Sequence, residues 1–467
     1  MPRRGLSVLV VLAVLAGCAT TSEPPRPAVS VPESWRETSN ASDASVPLEW
    51  WRAFNSAELA KLIGAAIAGS PDLAAASERV KQAEAQVRVA GASLFPTLDL
   101  GIASVRRNTK SDEGPAINVD TTNGVLNASY EIDLWGRLAS GVRSAESSLL
   151  ASRYDLETVR LTLVSGVATA YFDLLSLRDR LALARDNVAT AERVLAVVES
   201  RVRNGAATPL DLVRQRAATL SQRAAIPPLE LQERQTLSAL AILIGRTPTR
   251  FDVEGRSLVA LAIPEIAPGL PASLLVRRPD VAAAEAQLLA ANANLSVARA
   301  ALLPSITLSG SVGLASGALL AFGNPATIVS AAAALAQPIF DGERRTAEVD
   351  ISASREREIV EAYRRAILAA FADVENALVA VNRNAQQEEL QREVRGEAQE
   401  ALRLAEVRYR AGADDLLVVL DAQRTLFQAE DQLAQAQRAR LQAAVSTYRA
   451  LGGGWTMPED APRVGLR

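Results

Sequence analysis

Two hydrophobic patterns alternate along this chain, and they predict two kinds of element. Residues 140–203 and 344–411 carry apolar side chains at helical spacing over more than sixty positions without a proline. At 1.5 Å per residue such helices extend roughly 95 Å. Each is followed by a second helical segment, over 209–245 and 415–451. Charged residues throughout exclude burial in a bilayer, so the pattern predicts two long helical hairpins that pack on other helices.

The second pattern has a period of two and predicts β-strands. Apolar residues alternate with small or polar ones over 125–135 and 305–314, and less clearly over 98–105 and 328–336. Strands of a transmembrane β-barrel require an apolar face and a small or polar face. A strand of a soluble sandwich shows the same alternation, so the pattern alone leaves both interpretations open.

The two halves of the chain repeat each other at a spacing of about 207 residues. An internal repeat of this kind sets the architecture. The segment Pro71–Ala76 returns as Pro279–Ala284, Gly136 as Gly342, and Gly205 as Gly412. Each half is therefore predicted to hold two strands and one helical hairpin. The predicted first repeat spans 49–250, and 251–467 holds the second repeat and a C-terminal tail.

The N-terminus has the pattern of an export signal. Arg3 and Arg4 precede an apolar stretch that is too short to span a bilayer, which is typical of a signal peptide over residues 1–17. The following Leu15-Ala16-Gly17-Cys18 resembles a lipobox, after which Cys18 would carry lipid. Ala19 at the next position favours the outer membrane. The alternative is an ordinary signal peptide with an incidental cysteine.

Residues 18–48 are predicted to form an extended N-terminal tether, because the segment is rich in Pro, Ser, Thr and Glu. The composition also limits the chemistry. The chain has no histidine, one cysteine and a formal net charge of −3. His-based catalysis, zinc clusters and nucleic-acid binding are therefore not expected. We expect no enzymatic activity, no cofactor and no metal.

Four strands per chain cannot close a barrel, and open sheet edges are not tolerated in lipid. Two copies would give eight strands and a filled interior, whereas three would give twelve strands and a lumen. The small polar residues on one strand face suit a lumen, so the sequence favours a homotrimer. Two interpretations without transport compete with this one. A surface coiled-coil adhesin would need an exposed head domain, for which no segment is left over, and a lipoprotein scaffold would not need strands of period two.

Several motifs carry a resemblance to a known family. Trp50-Trp51, Trp135-Gly136-Arg137, Arg277-Arg278-Pro279-Asp280, and Arg408–Gly412 leading into Leu420–Arg424 resemble the outer membrane factors of tripartite efflux pumps, of the TolC type. The similarity is strongest to lipidated members that serve pumps of the resistance-nodulation-division class. It covers nearly the whole mature chain.

The resemblance implies a homotrimer with a twelve-stranded barrel in outer-membrane lipid and a twelve-helix periplasmic tunnel. It implies two partners, a periplasmic adaptor and an inner-membrane pump. The implied function is a passive exit duct for small molecules such as drugs. The alternative within the family is the outer-membrane duct of a type I protein secretion system.

The resemblance also implies a set of site residues. Gly205 and Gly412 follow the long helices, where glycine is usual because it tolerates positive φ. The resemblance adds that these hairpin tips are where the adaptor docks. Leu417 and Asp421 lie five and nine residues after Gly412 and match the constricting rings of lipidated relatives. Being four apart, they share one helical face, and the pair is predicted to be the channel gate.

A second implied pair closes the gate. Asp211 and Tyr409 match residues that tie neighbouring hairpins together in the closed state of relatives. Two positions depart from the family pattern: Asp414 stands where relatives have an arginine that helps this contact, and Val418 stands where some have a second aspartate. These departures predict a weaker tie, in which Leu417 carries more of the closure.

Overall fold

The structure is a computed structural model of the 467-residue chain. It describes residues 25, 27–37, 46–110, 115–264, 266, 269, 271, 274 and 277–455. Cys18, the predicted signal peptide and the last residues of the predicted C-terminal tail lie outside the described residues.

The helices begin and end where proline and glycine predict. A short 3-10 helix, Trp50–Phe54, comes first, and proline opens two of the later helices, at Pro71 and Pro279. Two helices, Arg137–Arg203 and Arg344–Arg410, have 67 residues each. The bounds are α1 Ala57–Gly69, α2 Pro71–Ala92, α3 Arg137–Arg203, α4 Pro209–Ala224, α5 Ile226–Leu243, α6 Pro279–Ala300, α7 Arg344–Arg410 and α8 Leu416–Ala450.

Four antiparallel strands form one sheet in the order β1-β2-β3-β4. Their bounds are β1 Thr97–Thr109, β2 Ile117–Ile132, β3 Ser305–Ser316 and β4 Ala326–Ala336. The β-hairpin of the second repeat, β3–β4, therefore pairs directly with that of the first repeat, β1–β2, through strands β2 and β3. The two outer strands, β1 and β4, are the edges of the sheet.

The strand register separates an apolar face from a polar one. Leu100, Leu126, Val312 and Val329 lie side by side in one cross-strand row. The neighbouring row, on the opposite face, contains Asp99, Asn127, Ser311 and Ser330. Because side chains alternate along each strand, these rows repeat as two continuous faces. This confirms the alternation predicted from the sequence.

The chain divides into two compact units, each drawn from both sequence repeats. The first holds the sheet and consists chiefly of Arg79–Arg153 and Ala283–Arg364. The second consists of Val29–Glu78, Tyr154–Ala282 and the chain from Arg365 onward. The domain boundaries predicted from the sequence, after residues 17, 48 and 250, are not tested by this division and remain a prediction. The units separate sheet-bearing from hairpin-bearing segments, whereas the repeats separate first half from second.

The core of the second unit is aromatic and aliphatic. Trp50 stacks on Tyr448 with ring centroids 5.0 Å apart, and Phe54 lies 5.0 Å from Phe172. Phe54 and Phe172 are fully buried. Among the described helices taken singly, only α3 contains a stretch long and apolar enough to cross a membrane. Half of that stretch is buried within the protein. Val167 and Phe172 of α3 belong to this core.

Part of the predicted tether is packed. Trp35 is 2% exposed, its indole Nε1 donates to the carbonyl of Gly269 over 2.9 Å, and its ring lies 6.2 Å from that of Phe371. Beyond it, Glu37 accepts a hydrogen bond from Asn382. The tether is therefore held at residues 35–37 and is not free along its whole length.

The motif around Arg278 has a structural role. The Arg278 guanidinium bonds both carboxylate oxygens of Asp280, at 2.9 and 2.7 Å, and one of Asp373 at 3.0 Å. It also donates to the carbonyl of Ala450. These contacts hold the start of α6 to α7 and to the end of α8. Fixing this junction explains why an arginine and an aspartate flank the proline that opens α6.

Candidate functional site: the hairpin tips

The two hairpin turns have the same backbone. Gly205 and Gly412 adopt φ of 74° and 75°, in the left-handed region that only glycine enters at no cost. The N–H of Gly205 donates to Val202 O, and that of Ala206 to Arg201 O. The N–H of Gly412 donates to Tyr409 O, and that of Ala413 to Arg408 O. Both turns are Schellman motifs, which satisfy the last carbonyls of α3 and α7.

The first tip closes with a capping box. The Thr208 hydroxyl accepts from the N–H of Asp211 at 3.2 Å, and the Asp211 carboxylate accepts from the N–H of Thr208 at 2.9 Å. The bond from the Thr208 N–H lowers the pKa of Asp211. Pro209 occupies the first turn of α4. The start of α4 is therefore fixed by its own residues.

The second tip lacks this cap. Asp415 precedes α8 without a side-chain capping bond. Instead Asp414 forms a two-point ion pair with Arg408, at 2.5 and 2.9 Å, across the turn. The hydrogen bond from Arg408 lowers the pKa of Asp414. The aspartate that replaces the expected arginine thus pairs within its own tip.

The tips are joined by Arg201, which the sequence interpretation did not single out. Its guanidinium donates to the carbonyl of Tyr409 over 2.5 Å and lies 4.5 Å from the centre of the Tyr409 ring. The bond also places a positive charge at the C-terminal end of α7, where it is favourable. Arg201 lies one repeat before Arg408, and that spacing was the available signal. Val198, Leu402 and Val419 form part of the apolar cluster beneath this contact.

Asp211 and Tyr409 are not hydrogen-bonded to each other within the described part of the chain. Asp211 is engaged by Thr208, and the buried hydroxyl of Tyr409 has no partner there. Burial raises the pKa of Tyr409, the positive charge of Arg201 opposes this rise, and the negative charge of Asp211 makes a smaller contribution that raises it. The predicted contact between neighbouring hairpins therefore remains a prediction, and the Tyr409 hydroxyl is an unpartnered donor among the described residues.

Leu417 and Asp421 share the exposed face of α8. Leu417 is 62% exposed, while Leu416 and Val419 on the other face are buried. The Asp421 side chain is 64% exposed and pairs with Arg424 at 2.6 Å. Arg424 lies one turn further along the same face, so a basic group accompanies the predicted acidic ring. Both predicted gate residues are therefore largely exposed in the single chain.

Comparison with known proteins identifies the relatives of this chain. A model of the outer membrane efflux protein family matches residues 62–246 and 270–453. The pyoverdine export outer membrane protein OpmQ of Pseudomonas aeruginosa is 43% identical, covering 97% of this chain and 98% of the relative. The cation efflux system protein CusC of Escherichia coli is 32% identical, covering 97% and 99%.

A solved structure gives the same result for the fold. The open state of the Neisseria gonorrhoeae MtrE outer membrane channel superposes with a TM-score of 0.83 at 30% identity, covering 94% of this chain and 98% of that chain. The predicted fold class, long helical hairpins joined to four transmembrane strands per chain, is confirmed. The protein is located in the outer membrane, with a periplasmic extension. The chain belongs to the outer membrane efflux protein family.

Proposed function

We propose that this protein is the exit duct of a tripartite efflux pump and passively conducts small molecules such as drugs across the outer membrane. In this proposal three copies close a twelve-stranded barrel and a twelve-helix tunnel. A periplasmic adaptor and an inner-membrane pump of the resistance-nodulation-division class deliver the cargo. In this proposal the protein is a passive channel and catalyses no reaction. Lipid on Cys18 adds an anchor to that of the barrel.

The open four-stranded sheet carries this proposal. Its edges, β1 and β4, need partners in lipid, because the bilayer core offers no water to bond their backbone groups. Side chains fill an eight-stranded barrel, whereas a twelve-stranded one leaves room for a lumen. The polar face supports the same choice. There the Ser311 and Ser330 hydroxyls bond each other at 2.7 Å and would line a wet interior.

The hairpin tips support an adaptor that approaches the backbone closely. Five of the exposed turn residues are glycine or alanine, namely Gly205, Ala206, Ala411, Gly412 and Ala413, and the other exposed positions are the polar Asn204, Thr208 and Asp415. Such a surface presents backbone groups with little side-chain cover. In the proposal these tips receive the adaptor, while the exposed face of α8 points to the channel axis and narrows it with Leu417 and Asp421.

The named cargoes of the relatives favour small molecules. One relative is named for pyoverdine export and another for cation efflux, although both match nearly the whole chain. Different cargoes on one framework are expected when the duct does not choose the cargo and the pump does. Neither name mentions protein secretion, which is the alternative function.

Two measurements test the proposal. Native mass spectrometry of the full chain in detergent should give a trimer, and a stable monomer would contradict it. Deleting the gene in its host should raise accumulation of small fluorescent efflux dyes and leave the secreted proteins unchanged. Loss of a secreted protein with unchanged dye accumulation would favour type I secretion.

A further inference from the structure

The loop between β3 and β4, residues 317–325, lies against one face of the sheet. It is fastened by a row of three hydroxyl side chains, Ser104, Thr122 and Ser316, which the register places side by side. Thr122 Oγ1 donates to Ala318 O at 2.6 Å, and Ser316 Oγ donates to Gly323 O at 2.7 Å. Ser104 Oγ accepts from the N–H of Leu320 at 3.0 Å. Thr122 and Ser316 are each 3% exposed.

The register identifies which face the loop covers. Ser104, Thr122 and Ser316 each lie four residues from a member of the apolar row Leu100, Leu126 and Val312, so they share its face. Gly124 on the same face lies under Phe322, since a Cβ added there would come within 3.2 Å of the Phe322 ring. The loop therefore lies on the apolar, lipid-facing side of the sheet and not over the polar side.

The loop also presents apolar side chains outward. Leu320 is 82% exposed and Phe322 is 43% exposed. Leu320 adopts φ of 56°, in the left-handed region that a residue with a side chain enters only at a cost. Holding a leucine in that conformation with its side chain fully outward is unfavourable in water. The exposed leucine side chain would be stabilised if it entered an apolar medium instead of water.

The height of the apolar face leaves room for such a contribution. Its rows run from Ile132 to Gly124 along β2, about 27 Å at ~3.3 Å per residue. A strand tilt of ~40° reduces this to about 20 Å of membrane depth, whereas outer-membrane barrels present a band of ~25 Å. The loop lies directly above the last apolar row. Phe322 covers Gly124 in that last row, and Leu320, whose N–H donates to Ser104, adds an apolar side chain where the strand side chains change to hydroxyls.

We propose that residues 317–325 are a membrane anchor that inserts Leu320 and Phe322 among the acyl chains of the outer leaflet. The loop joins the strand ends opposite to those that lead into the helices, so it lies at the extracellular rim. This inference rests on the proposed barrel, whose apolar face meets lipid. It assigns the β3–β4 loop to the lipid and leaves the mouth of the lumen uncovered by it.

Spin labelling of the full-length trimer tests the anchor. In a Cys18→Ser background, the variants Leu320→Cys and Phe322→Cys each carry a single nitroxide, and the trimer is reconstituted in phosphatidylethanolamine–phosphatidylglycerol vesicles. Leu100→Cys on the apolar face and Ser309→Cys on the polar face are the controls. The measured quantity is the accessibility of the label to oxygen relative to a water-soluble nickel chelate.

We expect the ratio at 320 and 322 to approach that at 100 and to exceed that at 309 several-fold. A ratio at 320 equal to that at 309 would overturn the anchor, as would low accessibility to both reagents, which would place the loop against another copy. If 100 and 309 themselves do not differ, the barrel assignment fails instead. Adding Ser104→Ala should lower the ratio at 320, and an unchanged ratio would show that the hydroxyl row does not hold the loop.

Discussion

The two hairpin tips share one backbone turn but are stabilised differently. The first tip is closed by its own capping box between Thr208 and Asp211. The second has no side-chain cap and depends on an exposed ion pair and on Arg201 from the first tip. A buried or backbone-directed bond persists where an exposed pair is weakened by solvent. The start of α4 is therefore held by its own residues, whereas the second tip depends on Arg201 for its one backbone-directed side-chain bond. We expect the second tip, with α8, to be the part that moves when that bond opens.

The exposed faces of α4 and α8 also differ between the two hairpins. Leu417 and Asp421 on α8 correspond, one repeat earlier, to Leu210 and Arg214 on α4. The apolar position is kept and the charge is reversed. If α8 lines the axis, the repeat provides a matched control at the same positions of a similar helix. The following predictions use that correspondence.

The largest effect is expected at the predicted gate. The double variant Leu417→Ala/Asp421→Ala removes an apolar obstruction and a ring of charge, so single-channel conductance in planar bilayers should rise several-fold. Asp421→Ala alone should mainly reduce cation preference, and only modestly because Arg424 already pairs with Asp421.

The control is the matched pair Leu210→Ala/Arg214→Ala on the first hairpin. It should leave conductance close to that of the wild type. Equal conductance and ion selectivity in all three proteins would show that the exposed face of α8 does not set the constriction.

The next effect concerns the bond between the tips. Arg201→Ala removes a charge-assisted hydrogen bond to the Tyr409 carbonyl, worth about 1.5–3 kcal/mol. Hydrogen exchange at 408–421 should accelerate, and the open fraction of the channel should increase. Arg408→Ala, at the repeat position, removes only an exposed pair and should change both quantities much less. If Arg408→Ala has the larger effect, the second tip is held by its own ion pair.

A smaller effect is expected from the caps. Thr208→Ala should destabilise the first turn of α4 by about 1 kcal/mol, because the capping hydroxyl is lost. Asp415→Ala should change the start of α8 by less, since its side chain makes no capping bond. Exchange of the amides at 210–212 and 416–419 reports each turn separately. Similar losses at both turns would remove the distinction drawn between the tips.

The smallest effect is the dependence on pH. The pKa values of Asp211 and Asp414 are both lowered in the folded chain. Their contributions are therefore fully present above the ordinary value of 3.8 and are lost as pH falls below it through the folded values. Amide exchange at both tips, corrected for its intrinsic pH dependence, should be constant from pH 7 to 5. Asp414→Asn should remove the acid response of the second tip only.

Much of the fold could be predicted because its signals are local. Pro71 and Pro279 open helices at the expected positions, and Gly205 and Gly412 adopt the positive φ that the ends of long helices require. Strand β2 is longer than predicted. Its outer part contains Thr122, whose hydroxyl serves the β3–β4 loop and interrupts the apolar alternation.

The contacts that connect distant segments could not be predicted in the same way. Arg201 meets Tyr409 across 208 residues, and Trp35 packs against Gly269 and Phe371. No local pattern encodes which helix an exposed arginine or a tether tryptophan will reach. The sequence resemblance singled out Tyr409 but paired it with Asp211, and only the repeat correspondence with Arg408 could have drawn attention to Arg201.

Cross-linking at Leu417 tests the central claim most directly, namely that three copies of this side chain meet at the channel axis. Leu417→Cys in a Cys18→Ser background should be joined between copies by a short bifunctional maleimide, and the cross-linked channel should conduct less. Leu210→Cys, the repeat counterpart on α4, should cross-link far less under the same conditions. If Leu417→Cys is joined no more readily than Leu210→Cys, the exposed face of α8 does not meet its copies and the gate lies elsewhere.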